Sequence, residues 1–281
     1  MRLFLITKKQ LYFSFTIFSL LIFSFTFYHI YATNYSSVCE DNSAFCVSSL
    51  SDFVENSSID IQSKINNIYS SKEKIAYLTF DDGPSKIATS AILDILKNNG
   101  INATFFVIGY RVEEFPDIVK RAYEEGNFIA NHTYSHKNSK IYKNKNSFIN
   151  EILDTDKVIS KAINVSNYHS YVFRFPNGSK GTSYASIKKN CINYLKEIKY
   201  NYVDWNALNS DSLRKYSSSE LLTNLKKSCK NKDSVVILMH DTIDVSKSYL
   251  ALENSIKYLI NEGYSFRTFE DFFKNKDDTL K

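Results

Sequence analysis

From Glu73 onward, short apolar runs of strand length alternate with stretches whose apolar residues recur at helical spacing. The runs predict strands at Ile75–Phe80, Ala103–Ile108, Phe128–Asn131, Tyr171–Phe175, Tyr202–Trp205, Ser234–Met239 and Ser265–Phe269. Between them, Ser85–Asn99, Phe115–Glu125 and Ser246–Glu262 read as amphipathic helices, each followed by a glycine at 100, 126 or 263 that stops it. Seven βα units in series imply an α/β fold built on a parallel sheet with right-handed crossovers.

Before residue 72 the pattern changes. Leu11–Ala32 contains no Asp, Glu, Lys or Arg and follows Arg2, Lys8 and Lys9; about 20 such residues span a bilayer core. A secretory signal has a shorter apolar region and a small-residue cleavage site, which Tyr31-Ala32 matches poorly. Residues 1–32 therefore read as a cytoplasmic stub and an uncleaved transmembrane signal anchor, with the positive flank inside and the rest of the chain outside a cell membrane. Residues 33–71, rich in Ser, Asn and Asp, read as an extracytoplasmic linker with one short helical stretch at Ile59–Ile68, and residues 72–281 as the folded body.

Composition narrows the partners. A hydrophobic share of 43% and a charged share of 23% are those of a globular chain. The net charge of +5 is scattered, with no arginine stripe and no basic helix interleaved with aromatics, so neither nucleic acid nor a nucleotide cofactor is expected. The mild basic excess suits an anionic wall polymer and equally a solvated surface. Aromatics make up 15% of the chain; they suit sugar stacking, but core packing is the commoner use. Cys39, Cys46, Cys191 and Cys229 match no zinc ribbon or CxxC pattern; Cys39 with Cys46 and Cys191 with Cys229 is one pairing, and free thiols are another.

In parallel α/β folds, catalytic groups gather at the carboxyl ends of strands. Asp81 and Asp82 end the first strand, His132 follows the third, Arg174 to Gly178 end the fourth, Asp211 follows the fifth and His240 ends the sixth. Two adjacent carboxylates at the end of an apolar strand raise each other's pKa unless a cation compensates, although Asp, Gly and Pro also compose ordinary turns. His132 and His136 are four residues apart, which on a helical turn puts both imidazoles on one face. A histidine pair alone has the plainer reading of two surface residues. Joined to two carboxylates, it suggests two His and one Asp around an open metal site, with the second carboxylate left as a general base.

Thr79-Phe80-Asp81-Asp82-Gly83-Pro84, His132-Thr133-Tyr134-Ser135-His136, Arg174-Phe175-Pro176-Asn177-Gly178 and Leu238-Met239-His240 together resemble four ordered motifs of the NodB-type polysaccharide deacetylases, carbohydrate esterase family four. The resemblance covers Lys74 to Phe273. It implies a distorted (β/α)7 barrel and metal-dependent removal of acetyl groups from glycans. Asp82, His132 and His136 would bind one divalent ion, Zn2+ first, with Co2+, Ni2+ or Mn2+ as alternatives. Asp81 would be the general base, Arg174 would hold it, and His240 would be the general acid. The backbone N–H of Asn177 would serve the oxyanion, while Pro176, Leu238 and Trp205 would line the substrate site.

Two departures matter. Asn177 stands where the family often has Tyr, and Trp205 to Ser212 keeps only the last Asp of the usual fourth motif, Asp211, as the residue to tune His240. The implied substrate is peptidoglycan N-acetylglucosamine. Chitin-like, exopolysaccharide or O-acetylated glycans, or a non-catalytic glycan-binding role, are the alternatives.

Overall fold

A computed structural model describes residues 61–180, 184–242 and 248–274. Strands and helices alternate as β1 (Ile75–Asp81), α1 (Ala88–Asn98), β2 (Thr104–Val107), α2 (Gly109–Glu114), α3 (Pro116–Glu124), β3 (Phe128–Asn131), α4 (Asn138–Ile141), α5 (Lys145–Ile163) and β4 (Val172–Phe173), of which α1 and α3 are expected helices. The chain continues as α6 (Ala185–Glu197), β5 (Asn201–Tyr202), β6 (Ala207–Leu208), α7 (Ser218–Cys229), β7 (Ser234–His240), α8 (Ser248–Asn261) and β8 (Ser265–Phe266). Every pairing is parallel, in the order β5-β4-β3-β2-β1-β7-β6, with β8 added to the start of β1.

That order forces the sheet to curl. A flat path of seven strands would separate β5 and β6 by about 29 Å at about 4.8 Å per step. Yet Tyr202 and Ala207 are five Cα steps apart, a reach of at most about 19 Å. The result is an open barrel in which, among the described residues, β5 and β6 do not pair. The resemblance implied seven units; eight strands form because the expected strand Tyr202–Trp205 ends at Tyr202 and a further strand, β6, starts beyond it at Ala207. Arg174 Nε takes the Val203 carbonyl at 3.2 Å and Nη2 the Asp204 carbonyl at 3.3 Å, which turns them away from a ladder. Asn206 then starts β6 by exchanging bonds with Val236, at 3.2 Å through its N–H and 2.7 Å through its side-chain oxygen.

Period-two alternation sorts the strands into two faces. Ala76, Leu78, Phe80, Phe105, Val107, Ile129, Val235, Ile237 and Met239 pack in one cluster with α1, α3, α7 and α8, the outer layer. The opposite phase, Ile75, Tyr77, Phe106, Phe128, Ala130, Val172, Val203 and Val236, fills the barrel interior. A third cluster packs Phe173 and Phe175 against Phe148 of α5 and Cys191 and Leu195 of α6.

The end of the expected linker is corrected by this interior. Residues 61–70, helical and then a 3-10 turn, send the fully buried Ile65 and Ile68 into the interior cluster, each apolar side chain stabilising the fold by about 1.5–3 kcal/mol. Gln62 completes the exposed edge of β5: its Nε2 donates to Tyr202 O at 3.1 Å and its Oε1 accepts Tyr202 N–H at 2.9 Å. A side chain thereby does what a ninth strand would do. The folded unit accordingly includes residues 61–71.

The last expected strand is also shorter, since the chain leaves β8 at Phe266 for a 3-10 turn, Phe269–Phe272, that stacks Phe269 on Tyr77. Cys191 and Cys229 are free, buried thiols in separate clusters rather than a disulfide. The expected anchor at 11–32, and Cys39 and Cys46, lie outside the described residues. Among the described residues no helix is long and apolar enough to cross a membrane.

Candidate active site

The interior phase that is apolar at the base of the barrel becomes chemical at its top. On β1 it runs Ile75, Tyr77, Thr79, Asp81; on β3 Phe128, Ala130 and then His132; on β4 Val172 and then Arg174; on β7 Val236, Leu238, His240. One alternation therefore delivers all four residues to the mouth. Asp81 and His240 are register partners across β1 and β7, and Thr79 faces Leu238 one layer below.

Asp81 and Asp82 part company at the strand end. Asp81 continues the extended backbone and is buried. Asp82 takes a left-handed φ of 74°, which costs a non-glycine residue about 1–3 kcal/mol and re-aims its carboxylate. Gly83 follows because nothing larger fits: a Cβ there would lie 2.0 Å from the Asp241 carboxylate. Asp241 is itself fully buried, accepts Thr89 Oγ1 at 2.6 Å and is pushed up to about 7 by burial and by the charges of Asp82 and Asp81.

The histidines reach Asp82 from a loop, not from the helical turn their spacing suggested. Residues 132–136 are irregular, with φ of 72° at Thr133 and 52° at His136. His132 Nδ1 bonds the Arg174 carbonyl at 2.8 Å, which makes Nδ1 the protonated nitrogen and leaves Nε2 to face Asp82. His132 Nε2 and His136 Nε2 lie 3.4 and 3.2 Å from Asp82 Oδ1. An ion about 2.1 Å from two donors at a tetrahedral angle separates them by about 3.4 Å, so these distances are those of two ligand pairs. Asp82 Oδ1 is buried without a hydrogen-bond partner, and all three ligand atoms lie within 4.8 Å of one another. The residues fit a divalent cation.

The electrostatics agree. Although burial opposes ionisation of Asp82, His132 and then His136 and His240 hold its carboxyl well below the usual range. Burial and the neighbouring His132 push His136 down to about 4, keeping it the neutral imidazole that a metal requires. His132 is driven upward, against its burial, by Asp81 and Asp82; a proton there is the countercharge that a metal would replace.

Arg174 is wholly buried and makes four hydrogen bonds. Besides the two carbonyls across the β5–β6 gap, its Nη1 donates to Asp81 Oδ1 at 2.9 Å and to Thr79 Oγ1 at 2.6 Å, and its guanidinium lies 4.1 Å from the Phe106 ring centroid. Across the mouth, Asp211 grips His240 twice, taking Nδ1–H at 2.7 Å and the backbone N–H at 2.8 Å. Burial works against protonation of His240, but the Asp211 bond and charge, with Asp81 and Asp82 behind, raise it to about 9. Ser248 Oγ also donates to Asp211, and Asn209 Nδ2 donates to that hydroxyl at 2.6 Å.

Of the expected substrate residues, Leu238 is a buried interior residue, Pro176 is buried, Asn177 is exposed with φ of 61°, and Trp205 covers Gly178. Several supports had no signal in the motifs. Glu151 accepts Ser135 N–H and Oγ–H, both at 2.7 Å, and Asp156 accepts Asn131 Nδ2 at 2.9 Å. Both acids lie on α5, and with Thr155 they form the helix face that holds the histidine loop. A buried polar face on a helix is the one clue the sequence offered, and it is visible only once the helix is placed.

An open α/β barrel with a buried carboxylate between two imidazoles, flanked by a second carboxylate and a charged imidazole, defines a hydrolase of the metal-assisted class. Residues 69–203 match the family described as Polysaccharide deacetylase. A peptidoglycan-N-acetylglucosamine deacetylase of Bacillus cereus is 33% identical over 209 residues, 71% of each chain. Among solved structures, the catalytic domain of peptidoglycan N-acetylglucosamine deacetylase from Eubacterium rectale superposes with a TM-score of 0.63 at 28% identity, covering 69% of this chain and 88% of that one. A Streptococcus mutans CE4 esterase gives 0.65 at 26% identity, covering 73% and 90%. The chain belongs to the polysaccharide deacetylase family.

Proposed function

We propose that the protein removes N-acetyl groups from an amino-sugar polymer, peptidoglycan N-acetylglucosamine, releasing acetate and leaving a free amine. The observation that carries the reading is the partnerless, buried Asp82 Oδ1 held 3.2–3.4 Å from two imidazole nitrogens, beside the Asp81–Arg174 pair. Similarity to the B. cereus and E. rectale enzymes supports the substrate.

Asp82, His132 and His136 would hold one divalent ion, taken here as Zn2+, which when bound acidifies water and polarises a carbonyl. Asp81, fixed by Arg174, takes a proton from the attacking water as that water adds to the acetyl carbon. The Asn177 N–H donates to the oxyanion that develops. His240, protonated at neutral pH, gives its proton to the nitrogen as the carbon–nitrogen bond breaks. Leu238, Pro176 and Trp205 shape the acetyl and sugar side of the mouth.

The charge-free run Leu11–Ala32 after a basic flank supports anchoring in the cell membrane with the barrel on the outer side, where wall glycan is within reach. The test is acetate release from purified wall glycan by the folded protein with Zn2+, Co2+, Ni2+ or Mn2+ added. Release is expected; none with any of these metals overturns the reading. A panel including chitin oligomers and O-acetyl xylan separates the substrate classes.

A further inference from the structure

Lys188, in the first turn of α6, is a buried cation outside the motifs. It is 2% exposed, and among the described residues its ammonium makes no ion pair. Cys191 and Leu195, which follow on the same helix, are buried with Phe173 and Phe175 in one apolar cluster. Burying an ammonium in such surroundings is costly unless it is hydrogen-bonded. Burial lowers the pKa of Lys188 accordingly. Its Nζ donates to Pro176 O at 2.8 Å and to Gly178 O at 2.6 Å, and it stands 5.7 Å from the Tyr142 ring centroid.

The two carbonyls flank Asn177. A trans peptide is planar, with its C=O and N–H pointing in opposite directions. Fixing the Pro176 carbonyl toward Lys188 therefore sends the Asn177 N–H the other way. Lys188 approaches from the helix layer, so the other way is the barrel mouth, where Arg174 lies three residues upstream. That N–H donates to nothing among the described residues. The turn is closed by Gly178 N–H on Phe175 O at 2.8 Å, with Pro176 and Asn177 at its centre, Asn177 at φ of 61° and Gly178 at 75°, and Lys188 adds a second hold on its central peptide. Next along the chain, Ser179 donates its N–H at 2.8 Å and its hydroxyl to Asp204, whose charge favours the Lys188 ammonium.

We infer that Lys188 is a positioning residue for deacetylation: it clamps the Pro176–Asn177 peptide so that the Asn177 N–H meets the developing oxyanion. The inference rests on the deacetylase reading above. A misaimed donor weakens the transition state more than the ground state, which separates this role from general stabilisation of the fold.

In the K188M variant, close in shape but without donors, kcat for acetate release should fall about 10- to 100-fold while KM stays within about twofold. Metal content should be unchanged. K188Q, whose shorter amide still donates, should fall by an intermediate factor. In the wild-type protein, a lysine-selective 15N spectrum should show a slowly exchanging Lys188 ammonium. Wild-type kcat in either folded variant, or a Lys188 ammonium exchanging freely with water, overturns the inference. Absence of acetate release by the wild-type protein would instead overturn the deacetylase reading itself.

Discussion

The two sides of the β1 tip are built on opposite principles. On the side of Asp82, His132 and His136, the chain leaves its own groups unsatisfied: Asp82 Oδ1 is buried without a partner, and three backbone positions, Asp82, Thr133 and His136, are held at positive φ. On the side of Asp81 and His240 each reacting group is held by a partner, Asp81 Oδ1 by Arg174 and His240 Nδ1 by Asp211. Strain and an orphaned oxygen belong where an ion supplies the missing interaction. A fixed partner belongs where protons move and the groups must keep their orientations.

Breaking the unsatisfied side should have the largest effect. Asp82→Ala removes the ligand shared by both imidazoles, so the purified protein should carry no stoichiometric metal. Its acetate release should fall by more than about 10⁴-fold, to background. Metal analysis and an acetate assay check this together; retained metal would take Asp82 out of the ligand set. Breaking the paired side should leave the metal in place. Asp81→Asn keeps an acceptor for Arg174 but no longer takes a proton, and kcat should fall about 10²- to 10⁴-fold at unchanged metal content. Turnover at the wild-type rate would remove Asp81 from the role of base.

A milder break tests whether the strained side depends on its scaffold. Glu151 uses both oxygens on Ser135, between the two histidines. Glu151→Gln has one acceptor for two donors, so the histidine loop should loosen and metal affinity should drop about 10- to 100-fold, read by isothermal titration. An unchanged affinity would mean that the loop is set by Asn131 and Asp156 alone.

The two sides also differed in how far the sequence exposed them. The carboxyl ends of β1, β3 and β7 were legible because an apolar run of strand length is a local signal, and they placed Asp81, His132 and His240 at the mouth. The gap between β5 and β6 was not legible, since what breaks the strand Tyr202–Trp205 is Arg174, a residue 28 positions before Tyr202. α5 escaped for a related reason: Glu151, Thr155 and Asp156 occupy its buried face beside Phe148 and Ile152, which blurs the apolar period. The linker boundary was not legible because the cluster that buries Ile65 and Ile68 is made mostly of residues on strands and turns far along the chain, Tyr77, Phe106 and Phe269 among them. Motif spacing located the groups that react. The groups that hold them, Glu151, Asp156, Lys188 and Asp204, are tertiary.

The smallest expected effect is on the paired side, and its sign distinguishes pairing from mere proximity. His240 has a pKa of about 9, above its ordinary value of 6.5: burial opposes this, and the Asp211 hydrogen bond and charge lead the groups that raise it. A metal on Asp82 would cancel part of the carboxylate field from that side, leaving Asp211 as the main support. Asp211→Asn should therefore lower the His240 pKa and move the alkaline limb of the kcat profile to lower pH by about one unit, with about a tenfold loss or less at neutral pH. The same shift appears in stability. A histidine whose folded pKa is raised contributes stability that is fully present below about pH 6.5 and is lost as pH rises through about 9. Urea unfolding of the wild-type protein should show that loss across this window, and D211N should show less of it. An alkaline limb and a stability profile unmoved by D211N would mean that Asp81, not Asp211, sets the charge on His240, and the two sides of the tip would then be one coupled site.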